Sequence, residues 1–233
     1  MLGFYGADHR IYKEVENYLN DGFPIGYVEH KIFNNGLNVS AQQALYYYDA
    51  LEHMYRSGHR RIAWINEYFP DFPTHKENLD EAVKRMVDLH PDMEIFKYPL
   101  VMPCEKNLMK KHYMDIVKDA VFSQKATVLF TGSAARTTMA LGVCNYFDLK
   151  IPQDISIVAQ ESGADELENL YTSVDAIRAP MYDMGRELAK MLIDRIEGRP
   201  ISPTEKLFQA QYISRGSLAV LSDSHHCSGK ISG

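Results

Sequence analysis

Short apolar runs that alternate with helix-length amphipathic stretches constrain this chain more than any other feature. The runs near 2–6, 24–29, 38–41, 61–65, 127–131, 155–160, 172–177 and 207–214 have the length and turn-bounded edges of strands. Between them, residues near 10–20, 42–57, 75–89, 106–123, 134–148 and 181–197 carry a helical period. A parallel neighbour in a sheet requires a crossover connection, and a helix of ten or more residues supplies it. The class is therefore α/β, with doubly wound parallel sheet.

Local chemistry supports the punctuation. Gly22 stands two residues before Pro24, which ends one element and opens the next. Ser57-Gly58-His59 does the same before Arg61-Ile62-Ala63-Trp64-Ile65. Met181, Met184, Leu188, Met191, Leu192 and Ile196 share one helical face, and Gly198 follows at the stop.

Composition excludes several classes of function. The 45% hydrophobic content is that of a chain with a real core, and no run approaches the roughly 20 apolar residues of a membrane span. A net charge of −6 without a basic patch opposes direct tracking of nucleic-acid phosphates. Cys104, Cys144 and Cys227 match neither a disulfide framework nor a zinc site, which fits reduced thiols in the cytoplasm. The patterns G-x-S-x-G, H-E-x-x-H, the P-loop and G-x-G-x-x-G are all missing, so no enzyme, cofactor or metal is expected. His225-His226-Cys227 is the nearest approach to a metal cluster, and it sits in a polar stretch without period.

Four phrases in order carry a resemblance. They are Gly36 through the helix 41–57 into Gly58-His59-Arg60-Arg61-Ile62-Ala63-Trp64-Ile65; then Thr127-Val128-Leu129-Phe130, Met139-Ala140-Leu141-Gly142 and Ile151-Pro152-Gln153-Asp154-Ile155-Ser156-Ile157-Val158; then Pro180 to Arg186 with Arg195-Ile196-Glu197-Gly198; and last Tyr212-Ile213-Ser214-Arg215-Gly216-Ser217. Together they resemble the effector domain of LacI/GalR-type bacterial transcription repressors, which shares its fold with periplasmic sugar-binding proteins.

The resemblance implies a two-lobed periplasmic-binding-protein-like fold with a ligand cleft between the lobes. It places residues 1–57 and 176–200 in a first lobe and 58–175 and 201–217 in a second, with 218–233 as a disordered tail. In this register the chain starts at the family's third strand, which leaves the first lobe incomplete and the DNA-reading headpiece absent. The implied protein is a cytoplasmic homodimer that senses a small carbohydrate-like effector and touches DNA only through that headpiece. A sugar-binding receptor of a transport system, which would need a signal peptide, is the alternative, and a truncated product without a working cleft is a third.

The same register points to effector-contacting positions. Gln42 and Gln43 stand where the family has an Asp-Asn pair, and their amides suit either a hydroxylated ligand or a helix start. Asn78 falls near the family's arginine. Ser133 and Arg136 fill a gap where the family's Asn-Asp pair is missing. Glu161 corresponds to an aspartate at a strand's carboxyl end and is expected to accept ligand hydroxyls. Tyr5 offers a ring for a sugar face or plain core. Tyr46, Tyr47 and Tyr48 cannot all face one way on a helix, so at least one packs inward.

Overall fold

The computed structural model describes residues 9–29, 35–68, 73–101, 106–161 and 165–221. The strand expected at 2–6 with Tyr5, and the His225-His226-Cys227 stretch, lie outside the described residues.

Two parallel sheets organise the described chain. The smaller contains β1 (Gly26–Val28), β2 (Leu37–Ala41) and β8 (Glu205–Phe208) in the order β1-β2-β8, all parallel. Leu37 and Val39 of β2 point to one face, where α6 (Met181–Ile196) buries Met184, Leu188 and Met191 against them. Near the other end, α1 (His9–Asn20) packs Val15 and Leu19 on Tyr27.

The larger sheet has the order β4-β3-β5-β6-β7-β9. Its strands are β3 (Arg61–Tyr68), β4 (Glu94–Val101), β5 (Val128–Thr131), β6 (Ser156–Glu161), β7 (Asp175–Arg178) and β9 (Gln211–Ile213), and only β9 runs antiparallel, beside β7. Helices cover both faces, which is why the strands read as continuous apolar runs. Ile62, Trp64, Val128, Phe130, Val158 and Ile177 face α2 (Gln43–Arg56) and α3 (Pro73–Leu89). Ala63, Ile65, Leu129, Ile157 and Ala159 face α4 (Lys106–Lys118) and α5 (Ala134–Tyr146). A π-helical turn over Asp119–Ser123 continues α4, so the single helix expected over 106–123 changes pitch near its end.

Strand β4 was not expected. Lys97 and Pro99 interrupt its apolar pattern, and both are tolerated because β4 is an edge strand paired only with β3. The single strand expected over 207–214 is in fact two, β8 and β9, one in each sheet.

The partition between sheets also differs from the expected lobes. Helix α2 covers the larger sheet, because Tyr46, Tyr47, Ala50, Leu51 and Met54 pack with Trp64 and Phe130. Strand β7 pairs with β6 in the larger sheet, whereas β8 pairs with β2 in the smaller. The chain therefore crosses between sheets at three places, near 41–43, 178–181 and 208–211. Hydrophobic period shows that a helix has a buried face but not which sheet receives it.

Residues 218–221, expected in a disordered tail, are built into the fold; 222–233 lie outside the described residues. The Leu221 N–H donates to the Ser57 carbonyl at 2.8 Å, and Leu218 packs on the core. The buried His59 ring bonds the Ala219 carbonyl through Nε2 at 3.0 Å and Thr127 Oγ1 through Nδ1 at 2.8 Å. A carbonyl can only accept, so Nε2 carries the proton and Nδ1 accepts from the Thr127 hydroxyl. Desolvation lowers the His59 pKa and keeps the ring neutral, against the raising effect of the Ala219 bond.

Gly58 makes this docking possible. Its φ of +91° lies in the left-handed region, and a Cβ there would collide with the Leu221 carbonyl oxygen. Gly58→Ala is expected to cost at least about 1–2 kcal/mol from backbone conformation alone, seen as a melting temperature lowered by several degrees. An unchanged melt would show that the 218–221 segment is not held against Gly58.

Candidate functional site

A cavity of about 510 Å³ opens where the smaller sheet meets α2 and α3. Strand alternation builds one wall: Asn38 and Ser40 point away from α6, as do Glu205 and Leu207 in register with them on β8. Glu29 stands just past the carboxyl end of β1, and Ala41 and Gln42 lie at the first crossing. Helix α3 supplies the opposite wall with Asn78, Glu81, Ala82 and Arg85. The volume suits a small molecule, and the site lies near the carboxyl ends of parallel strands, where open α/β sheets place ligands.

The polar groups here are partly committed. Asn38 is 1% exposed, and its Nδ2 donates to Glu205 Oε1 at 2.9 Å, while its Oδ1 is buried without a donor. Glu29 Oε1 accepts the Ala41 N–H at 3.4 Å. The Arg85 guanidinium lies 3.9 Å from the centre of the Tyr48 ring. Gln42 is the N-cap of α2, yet its side chain makes no cap hydrogen bond.

Of the residues singled out in the sequence, Gln42 and Asn78 line this one cavity although they are far apart in the chain. Gln43 is the first residue of α2. Ser133 caps α5, its hydroxyl accepting the Arg136 N–H, and Arg136 occupies the first turn with Nη1 at 3.6 Å from Met139 Sδ. Neither Ser133 nor Arg136 lines the cavity. Tyr46 and Tyr47 both turn inward to meet Gln160, at 2.6 and 3.3 Å, while Tyr48 lies under Arg85. Glu29, Asn38, Glu81, Arg85 and Glu205 were not foreseen; the alternation of Asn38 and Ser40 opposite Leu37 and Val39 was the legible signal.

Glu161, expected to offer its carboxylate to a ligand, is 1% exposed, is not in the lining of this cavity and is bonded within the chain. Oε1 accepts the Leu167 N–H at 3.0 Å. Oε2 accepts from Arg178 at 2.7 and 2.9 Å and from Arg215 at 2.9 Å. Arg178 bonds Asp165 as well, at 2.6 Å. Burial alone would raise the Glu161 pKa, but the Arg215, Leu167 and Arg178 hydrogen bonds outweigh it and hold the carboxyl below its ordinary value. Among the described residues, Cys144 is a free thiol on the buried face of α5, and burial pushes its pKa up to about 12, which leaves it inert.

Two sheets joined by three crossings, with a polar cavity set against the first of them, define an α/β module with room for a small molecule. The chain belongs to the periplasmic binding protein-like domain family, whose model matches residues 51–218. It is 24% identical over 176 residues to the HTH-type transcriptional repressor CytR of Escherichia coli K12, covering 75% of this chain and 49% of that one. The chain thus spans about half the length of the curated relatives it matches.

Solved structures share the fold. A LacI family regulator from Enterococcus faecium with bound ribose has a TM-score of 0.71 at 22% identity, over 89% of this chain and 75% of that one. A periplasmic binding protein/LacI regulator from Alkaliphilus metalliredigens complexed with D-xylulofuranose has a TM-score of 0.74 at 17% identity, over 90% and 83%. Among the described residues, no helix is long and apolar enough to cross a membrane.

Removing the Glu161 carboxylate leaves buried Arg215 without its charge partner. Glu161→Ala is expected to destabilise the fold by about 3–5 kcal/mol. Because the folded pKa is depressed, this contribution is present above the unfolded value of about 4.3 and is lost as pH falls through the folded one. The difference in melting temperature between the parent and Glu161→Gln should therefore narrow on acidification below about pH 4.3. A pH-independent difference would assign Glu161 a purely steric role.

Proposed function

We propose that this chain is the ligand-sensing domain of a LacI-type transcription regulator and binds a small sugar-like effector in the cavity between β2, β8 and α3. The observation that carries this reading is the convergence of Gln42 and Asn78, one at a crossing between the sheets and one on a helix of the larger sheet, on a single cavity with Asn38 and Ser40. Amides and hydroxyls that act as both donors and acceptors suit a polyhydroxylated ligand. Similar proteins solved with ribose or D-xylulofuranose support that ligand class.

A ligand in this cavity touches both bodies, so its binding energy favours whichever arrangement brings β2 and β8 nearest to α3. In the proposed regulator, that arrangement sets the spacing of two subunits of a cytoplasmic homodimer and hence the affinity of separate DNA-reading modules. This sensor performs no catalysis and needs no metal or cofactor.

The test is isothermal titration with any sugar that raises the melting temperature in a screen. Gln42→Ala and Asn78→Ala are each expected to weaken binding by about three- to tenfold, the worth of one hydrogen bond, and Gln42→Ala should leave the unliganded melting temperature unchanged. Unaltered affinity in both variants would move the effector out of this cavity.

A further inference from the structure

Among the described residues, Glu81 and Glu205 face this cavity from its two walls against one guanidinium, that of Arg85. Arg85 is drawn aside over the Tyr48 ring, 3.9 Å from its centre. Glu81 makes no hydrogen bond or ion pair among the described residues and stands exposed on α3. The lining therefore carries excess negative charge directed at the space a ligand would fill, on both walls.

Asn38 adds an independent observation. Strand alternation turns this buried side chain away from α6 and toward the cavity, where its Oδ1 has no donor. The amide cannot escape by rotating, because its Nδ2 donates to Glu205 Oε1 at 2.9 Å, and a carboxylate there accepts only from the nitrogen. An acceptor left unpaired in a buried site costs about 1–3 kcal/mol. A donor brought by a ligand removes that cost, and neither a carboxylate nor an ether oxygen can supply it.

We propose that the effector carries an ammonium group beside its hydroxyls, that is, a small hydroxylated amine of the amino-sugar class, held between Glu205 and Asn38 on the sheet wall and Glu81 on the helix wall. This assignment rests on the reading of the cavity as the effector site. Hydroxyls alone would satisfy Asn38 but would leave the excess carboxylate charge unbalanced, and an anionic ligand would be repelled. A bound cation also bridges the two walls electrostatically, so charge itself pulls β8 toward α3.

The experiment titrates the full chain calorimetrically with matched pairs, glucose against glucosamine, galactose against galactosamine and mannose against mannosamine, at low and high salt. The expected result is that the amine of at least one pair binds about tenfold or more tightly than its neutral partner. This preference should shrink at high salt and disappear in Glu81→Gln and Glu205→Gln, which keep side-chain shape and, at 205, the acceptor for Asn38. A neutral sugar that binds as tightly as its amine, with binding lost in Gln42→Ala, overturns the amine assignment and leaves the effector site standing. Amine binding that survives both glutamine variants also overturns the assignment. Absence of binding by every amine overturns it too, and if the neutral sugars are silent as well, the effector reading falls with it.

Discussion

The structure depends on three chain crossings that lie side by side between two sheets. Ala41 pairs with Phe208 and Arg178 with Gln211, so the ends of β2, β8, β7 and β9 meet at one place. The Gln42 N–H reaches the Phe208 carbonyl at 3.4 Å across two of these crossings. Ala41, Ala179 and Ala210 pack at the same core boundary, where larger side chains would force the strands apart. Two bodies connected only at such a place can change their angle without unfolding either one.

The two flanks of the crossings carry opposite electrostatic solutions. On the larger sheet, Glu161 is saturated by Leu167, Arg178 and Arg215, and the buried Asp175 accepts from Arg215 N, Ser217 N and the Tyr212 hydroxyl at 2.8–2.9 Å. Its acidic groups are structural because their partners are internal. On the cavity side, among the described residues, Glu81 and Glu205 face one arginine, which is engaged by a tyrosine ring. Carboxylates satisfied within the chain stiffen it, whereas carboxylates facing a cavity beside an orphaned amide are available to a ligand's donors.

Alternating strand and helix patterns made the α/β class legible, since each crossover helix has a strong period and each buried strand an apolar run. Three things were not legible for distinct physical reasons. Strand β4 escaped because an edge position tolerates Lys97 and Pro99. The sheet assignments of α2 and β8 escaped because period reports burial and not the partner. The internal pairing of Glu161 escaped because its position at a strand's carboxyl end carries no record of Arg215, 54 residues away. Gln42 and Asn78 could be named from register, but their meeting in one cavity is a tertiary fact.

The first phrase of the family resemblance supplies Asn38, Ser40 and Gln42 to the cavity, whereas the later phrases place residues at the opposite ends of the larger sheet's strands. His59 precedes β3, Thr127 precedes β5, Ser156 opens β6 and Asp175 opens β7; these are tied to the segment 215–219 through the Ala219 carbonyl, the Ala219 N–H and Ser217. Arg60 and Arg61 extend this staple to Asp92 and Glu94 at the start of β4. All of that chemistry closes the amino-terminal edge of the larger sheet and makes no contact with the cavity. A chain can therefore keep this staple, and the fold it secures, whatever ligand it binds. Gln42, Asn78, Glu81 and Glu205 line the cavity at the other end, where a change of charge would leave the staple undisturbed. For this reason, family membership fixes the architecture of the chain, and in the proposed sensor the charge of the cavity is the better guide to the ligand.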